Sequence, residues 1–213
     1  MKKIFLCFSF ALLAGSLFAQ GTKNIPLNQP DTSRGFPVMK ALSLRASAAD
    51  WDTTAIKLQD LSDLVWAANG INRVESGKRT APSAINAQDI DLYVFMKSGA
   101  YLYNARQQLL ELVTAGDHRE LVADRQANMA KAPVICLMVS DLSRFRMGDE
   151  ATKLTWAAED AGIVSQNISL FCAGVGLVTR PRATMNQEKL KELLKLDASK
   201  RLMLNNPVSY KKE

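Results

Sequence analysis

The chain has 213 residues, with 27 lysines and arginines against 21 acids and a formal net charge of +6 at pH 7. Apart from Lys211-Lys212 the basic residues are scattered, which argues against a nucleic-acid binder, whose surface concentrates them in a stripe with aromatics among them. A single histidine, His118, and three cysteines without a CxxC pair argue against a His-ligated metal centre and a structural zinc site.

Lys2 and Lys3 precede an apolar run over residues 4–18, and the small residue Ala19 offers a cleavage point before Gln20. This is the layout of a secretory signal peptide, and the run is short for a membrane span. Residues 1–19 are therefore expected to be removed on export, with the mature protein in the periplasm. Cys7 follows Leu6 rather than the small residue of a lipoprotein signal, so cleavage after Ala19 is the expectation. Residues 20–36, with Pro26, Pro30 and Gly35, read as an irregular arm, and a single folded domain is expected over 37–213.

Pro37 suits the start of a short helix that carries Val38, Ala41 and Leu42 on one face. Leu58, Leu61, Leu64, Val65 and Ala68 recur at helical spacing, and Gly70 closes that helix. Residues 73–88, with Gly77, Pro82 and many small polar side chains, read as a long loop of the kind that often carries function. Residues 91–96 read as a strand, 97–99 as a turn and 100–103 as the hairpin partner. Helices are expected over 106–115 and 119–129. Gly116 would cap the first, and Asp117 with Glu120 would form a capping box that leaves His118 on the surface.

Residues 133–139 are continuously apolar, which suits a buried central strand. A long helix is expected from Glu150 to about Cys172, with Leu154, Ala158, Ala161, Ser165, Ile168 and Cys172 as its inward stripe. A short amphipathic helix over 187–196 and a strand over 201–208 complete the chain. Cys136 and Cys172 lie in apolar segments and read as small hydrophobes. Helices, hairpin and strands do not alternate regularly, so the fold class is α+β rather than a doubly wound sheet.

Four places could carry chemistry. Arg45 and Ser47 can reach one phosphate, through charge-assisted contacts of about 1.5–3 kcal/mol each. Residues 77–88 are rich in donors and poor in bulk, so a flat ring could approach closely, with Asn86 and Gln88 reading the edge of a heterocycle. Gln166-Asn167 places two amides in an apolar helix, where a structural hydrogen-bond pair is the expected role. Gly174-Val175-Gly176 ends that helix but lacks the strand before it that a dinucleotide fold requires.

In this order the segments resemble the nitroreductase family. They are nearest to the branch containing dehydrogenases and oxidases of peptide azoline rings. The resemblance runs from about Val38 to Tyr210. Leu61-Ser62-Asp63-Leu64-Val65-Trp66-Ala67-Ala68-Asn69-Gly70, then Arg79-Thr80-Ala81-Pro82-Ser83-Ala84, are its most specific stretches. Gln166-Asn167, Gly176-Leu177 and Asn206-Pro207-Val208-Ser209-Tyr210 follow in register. The family implies a three-layer fold with a mostly antiparallel central sheet flanked by helices. It also implies an intertwined homodimer with flavin mononucleotide (FMN) at each of two subunit interfaces.

By this resemblance Arg45 and Ser47 bind the FMN phosphate. Pro82, Ser83 and Asn86 cover the isoalloxazine ring from the partner subunit, with Arg79 and Ala84 in the same segment. Gly176 and Leu177 pass near the ring with their backbone. Arg180 or Lys211, with Arg79 a further candidate, supplies a second phosphate cation, because Ala49 stands where the family usually has a basic residue. Val178 and Ser209 replace common glycines. The activity implied is NAD(P)H-linked two-electron reduction of nitroaromatics or quinones, in two steps through flavin N5, with no side-chain acid or base. A dehydrogenase with a non-nicotinamide donor, or a flavin carrier without turnover, are the alternatives.

Overall fold

The computed structural model describes residues 23–212, so the expected signal segment lies outside the described residues. In chain order the elements are β1 (Ile25–Pro26), α1 (Val38–Leu44), α2 (Leu58–Asn69), β2 (Ile71–Arg73), β3 (Lys78–Arg79), β4 (Ile90–Met96) and β5 (Gly99–Asn104). They continue with β6 (Leu109–Ala115), α3 (Arg119–Ala123), β7 (Val134–Asp141), α4 (Glu150–Val175), β8 (Leu177–Thr179), α5 (Gln187–Leu193) and β9 (Lys200–Tyr210). Seven strands form one sheet in the order β1-β6-β5-β4-β7-β9-β8, and each neighbouring pair runs antiparallel. β2 and β3 make a separate ribbon.

The three layers follow from the pleat of β7. All eight of its residues are buried. Val134, Cys136 and Met138 face one core with Leu61, Leu64 and Val65 of α2 and Ala161, Val164 and Ile168 of α4. Ile135, Leu137 and Val139 face the opposite core with Val122 of α3 and Leu190 of α5. Alternate side chains point to opposite faces, so a strand covered on both sides must be apolar throughout. Each large aliphatic side chain buried this way contributes about 1.5–3 kcal/mol.

The expected helix over 106–115 is instead the turn after β5 followed by strand β6. Leu109, Leu110, Leu112 and Val113 have helical spacing, but pairing with β5 along Tyr101↔Leu112 to Asn104↔Leu109 fixes an extended backbone. The second expected helix stops at Ala123, because Asp124 takes φ +51°. The capping box does not form. The Asp117 carboxylate accepts from the Arg119 backbone and guanidinium, and His118 Nε2 contacts the Ala115 carbonyl at 2.8 Å.

α4 begins on an Asp149 cap that accepts from Thr152 N–H and ends at Gly176, whose φ of +82° stops the helix. Its inward stripe is Ala157, Asp160, Ala161, Val164, Ser165, Ile168 and Cys172; Leu154 and Ala158, expected inside, are exposed. Gly174 lets α1 come close. A Cβ there would lie 3.7 Å from Ala41 Cβ, and its carbonyl accepts from Phe36 N–H at 2.9 Å. The arm is not wholly irregular: β1 adds to the sheet edge, and Arg34 pairs with Asp60 at 2.6 Å and Asp63 at 2.8 Å.

Candidate functional site

A cavity of about 360 Å³ opens where α4 ends, within the ~300–1,000 Å³ usual for small-ligand sites. Its floor is the last turn of α4, with Ser169 and Cys172, and the reversal Gly176-Leu177. Space beyond Gly176 is open, with nothing within 4 Å of where a Cβ would stand. One wall is the segment after α1. Ser47 bridges Thr179, and Ala48 N–H donates to the Thr179 carbonyl at 3.0 Å. The other wall is the end of β9. Leu177 pairs with Tyr210, which delivers Lys211 to the rim.

Buried hydrogen bonds hold this geometry. Thr179 Oγ1 donates to the Pro207 carbonyl at 2.7 Å, Asn206 Nδ2 reaches Thr179 Oγ1 at 3.3 Å, and Ser165 Oγ donates to Asn206 Oδ1 at 2.7 Å. Tyr210 pins the end of β9 by donating to Asp60 at 2.7 Å while accepting from Lys57 N–H at 3.0 Å. A shallower hollow continues from the cavity through Ala48, Val178 and Lys211 to Ala49, Asp50 and Lys212.

The loop before β4 forms a second cluster. Ile85, Asn86 and Gln88 all take positive φ, at 47°, 56° and 49°. A left-handed β-branched residue is uncommon and points to a conformation imposed by its surroundings. Those surroundings are visible. Ala84 N–H donates to both carboxylate oxygens of Asp160 at 3.0 Å. Gln88 N–H donates to Ser83 Oγ at 2.8 Å, and Arg144 holds the Gln88 carbonyl at 2.8 Å. Beneath the loop Asp89 is wholly buried. Burial pushes its carboxyl up to about 7, assisted by the Asp160 carboxyl and opposed by the hydroxyl of Ser140.

The residues expected at the site thus fall into two groups. Ser47, Gly176, Leu177 and Lys211 line one cavity, with Arg45 at the adjoining end of α1. Pro82, Ser83, Ala84 and Asn86 sit on the loop anchored at Asp160. Asp160 precedes Ser169 by nine residues of α4, about 14 Å along the axis, so one chain does not bring the groups together. Arg180 lies outside the cavity, exposed and near Arg182. Arg79 is a brace of the loop, donating to Gln88 Oε1 at 3.0 Å and the Asn69 carbonyl at 2.7 Å. Of the two amides in α4, Gln166 is exposed and Asn167 reaches the Ala68 carbonyl at 3.4 Å. Asp89 and Asp160 were not singled out from sequence, and Lys212 was noted only as part of a basic pair. An acid on the inward stripe of α4 is the signal that could have found Asp160.

An antiparallel α+β domain with a ligand-sized cavity at the end of its central helix and a polar loop beside its sheet defines the class. The chain belongs to the nitroreductase family, whose sequence profile matches residues 44–209. A protein of Methanocaldococcus jannaschii, classed by name with the nitroreductases, is 26% identical over 180 residues, 79% of this chain and 88% of the relative. A nitroreductase-type crystal structure from Ralstonia eutropha is 32% identical, with a TM-score of 0.83 and 90% of each chain covered. A chain of the Escherichia coli microcin synthetase complex shares the fold at 14% identity, with a TM-score of 0.71 over 98% of this chain and 85% of that one. Members of the family are oxidoreductases that generally bind a flavin, typically as homodimers.

Proposed function

We infer that this chain is an FMN-dependent oxidoreductase acting as a homodimer, with the flavin held in the cavity at the end of α4. The observation that carries the reading is the meeting of Ser47, Gly176, Leu177 and Lys211 around one opening. The donor set suits the cofactor. A hydroxyl and an ammonium, with Arg45 beside them, match a phosphate, and the open side of Gly176 leaves room for a flat ring against the backbone. Lys211 rather than Arg180 is the second cation, because β9 delivers it to the cavity. With Lys212 it brings positive charge beside Ala49, where the family usually carries its own basic residue.

Bound FMN would supply two-electron chemistry between NADH or NADPH and a nitroaromatic or a quinone. The chain's own residues hold the phosphate, shape the ring pocket and exclude water. Pro82, Ser83 and Asn86 of a second copy complete the ring pocket in this reading, which explains why they stand apart from the cavity within one chain. Residues 1–19 direct export to the periplasm. The segments taken together and in order favour the azoline dehydrogenase-like branch.

The test is an absorbance spectrum of the purified protein with FMN, before and after anaerobic NADH and NADPH. Flavin bands that bleach are expected. Bands that persist point to another donor or a carrier, and no bands after reconstitution would refute the reading.

A further inference from the structure

Beneath the strained loop, Asp89 and Asp160 approach from two elements. Asp89 immediately precedes β4 and is wholly buried, and Asp160 on α4 is 3% exposed. With Pro82 and Ser83 they line a space of about 10 Å³, room for one water at most. Asp89 Oδ2 accepts from the Ser140 hydroxyl. Asp89 Oδ1 is buried without a hydrogen-bond partner, and the Asp160 carboxyl borders the same small space. Asp160 meanwhile accepts the Ala84 N–H through both oxygens.

No cationic side chain among the described residues bonds either carboxyl. Arg144, from the turn after β7, bonds Asp91 and comes near Asp141 while holding the Gln88 carbonyl. Lys200 on β9 bridges Asp91 and Asp141, and Arg79 bonds Gln88 and Asn69. Two carboxylates this close in a dry site do not both ionise. One proton on Asp89 Oδ1, donated to Asp160, satisfies the orphaned oxygen and leaves Asp160 free to hold Ala84.

We propose that Asp89 and Asp160 share a single proton, and that this bridge is the positioning element that fixes Pro82, Ser83 and Ala84 for the flavin ring. The first half stands on this chain alone, and the second rests on the function proposed above. When the proton leaves to water, two like charges face each other with no cation bonded to either, Arg144 acting on Asp89 only through space while its bonds go to Asp91 and the Gln88 carbonyl. Asp160 then turns from Ala84, and the left-handed residues behind it relax. Asp89→Asn offers an N–H donor to Asp160 and keeps an oxygen for Ser140, so it mimics the protonated acid at every pH.

The test begins with the flavin-free protein, following the carbon-13 carboxyl resonance of Asp89 and the hydrogen-exchange protection of the Ala84 amide against pH. A midpoint near 7 is expected, with protection falling about tenfold between pH 6 and pH 8 in the wild type and staying flat in Asp89→Asn. FMN affinity should weaken about tenfold over the same interval in the wild type only. An Asp89 midpoint in the ordinary carboxylate range overturns the shared proton, and needs no variant to read. Affinity that follows pH identically in both proteins overturns the positioning role. If neither protein binds FMN while Asp89 and Ala84 titrate together, the proton bridge stands and the flavin reading fails.

Discussion

At the scale of single residues, the cavity depends on polar atoms that have nowhere else to bond. Asn206 accepts from Ser165 and donates toward Thr179, and all three are buried. Asn206→Ala strands the Ser165 hydroxyl, while the Thr179 hydroxyl still donates to the Pro207 carbonyl, so denaturant unfolding should show a loss of about 1–3 kcal/mol with an unchanged slope. Two carboxyls set opposite pH responses. Asp141 is buried, which opposes ionisation, but Ser143 and Lys200 outweigh burial and hold it well below the usual range. Its contribution is present above the unfolded value of 3.8 and disappears as pH falls. Asp89 is raised from 3.8 to about 7, so the fold holds one proton more than the unfolded chain between those values. That contribution declines as pH rises, by at most about 1.4 kcal/mol per unit. Thermal melting against pH should therefore peak near pH 4–5, and Asp89→Asn should remove the decline toward neutrality. Ser47 and Gly176 line one cavity, a placement that the family resemblance implied and that Arg-x-Ser and Gly-x-Gly alone were too short to specify. Asp89 was not legible in the sequence, since its meaning comes from Asp160, 71 positions away in the chain.

At the scale of elements, pattern and structure agree where one periodicity dominates. The unbroken apolar run became β7, and the helical spacing from Leu58 became α2. They part at β6, where leucines spaced for a helix were overruled by pairing with β5. They part again at β1, two residues of an arm whose strand character exists only through Ile25↔Leu110 and Pro26↔Leu109. α4 was placed correctly, and Ala161, Ser165, Ile168 and Cys172 of its expected stripe are buried, but the first two positions fell on exposed Leu154 and Ala158 rather than on Ala157 and Asp160. The error hid Asp160 as well. Where α4 stops matters more than where it starts, because Gly176 turns the chain into the cavity floor. Gly176→Ala meets no steric obstacle but must adopt φ +82°, so it should cost about 1–2 kcal/mol by thermal or chemical unfolding. A larger loss would mean that the open side of Gly176 is already packed in the native assembly.

At the scale of the whole molecule, α1 and the two residues before it leave Phe36, Val38, Met39, Leu42 and Leu44 exposed, beside the cavity that Phe36 and Leu44 line. A run of apolar side chains around a ligand site is the kind of surface that a second copy covers. Leu42→Glu should shift the protein toward monomer in light scattering at micromolar concentration and weaken FMN binding at least tenfold, without lowering helix content. A variant that stays dimeric would move the interface elsewhere. The placement of β9 also governs the order of assembly. It follows every other described element in the chain, yet it sits between β7 and β8 and carries Tyr210 and Lys211 to the site. A nascent chain emerging from a ribosome or a translocation channel cannot close its sheet until residues 200–210 are out. Until then β8 has no neighbour and the cavity lacks a wall. On the function proposed above, the flavin is loaded only after the last strand is in place, from the compartment in which the chain folds.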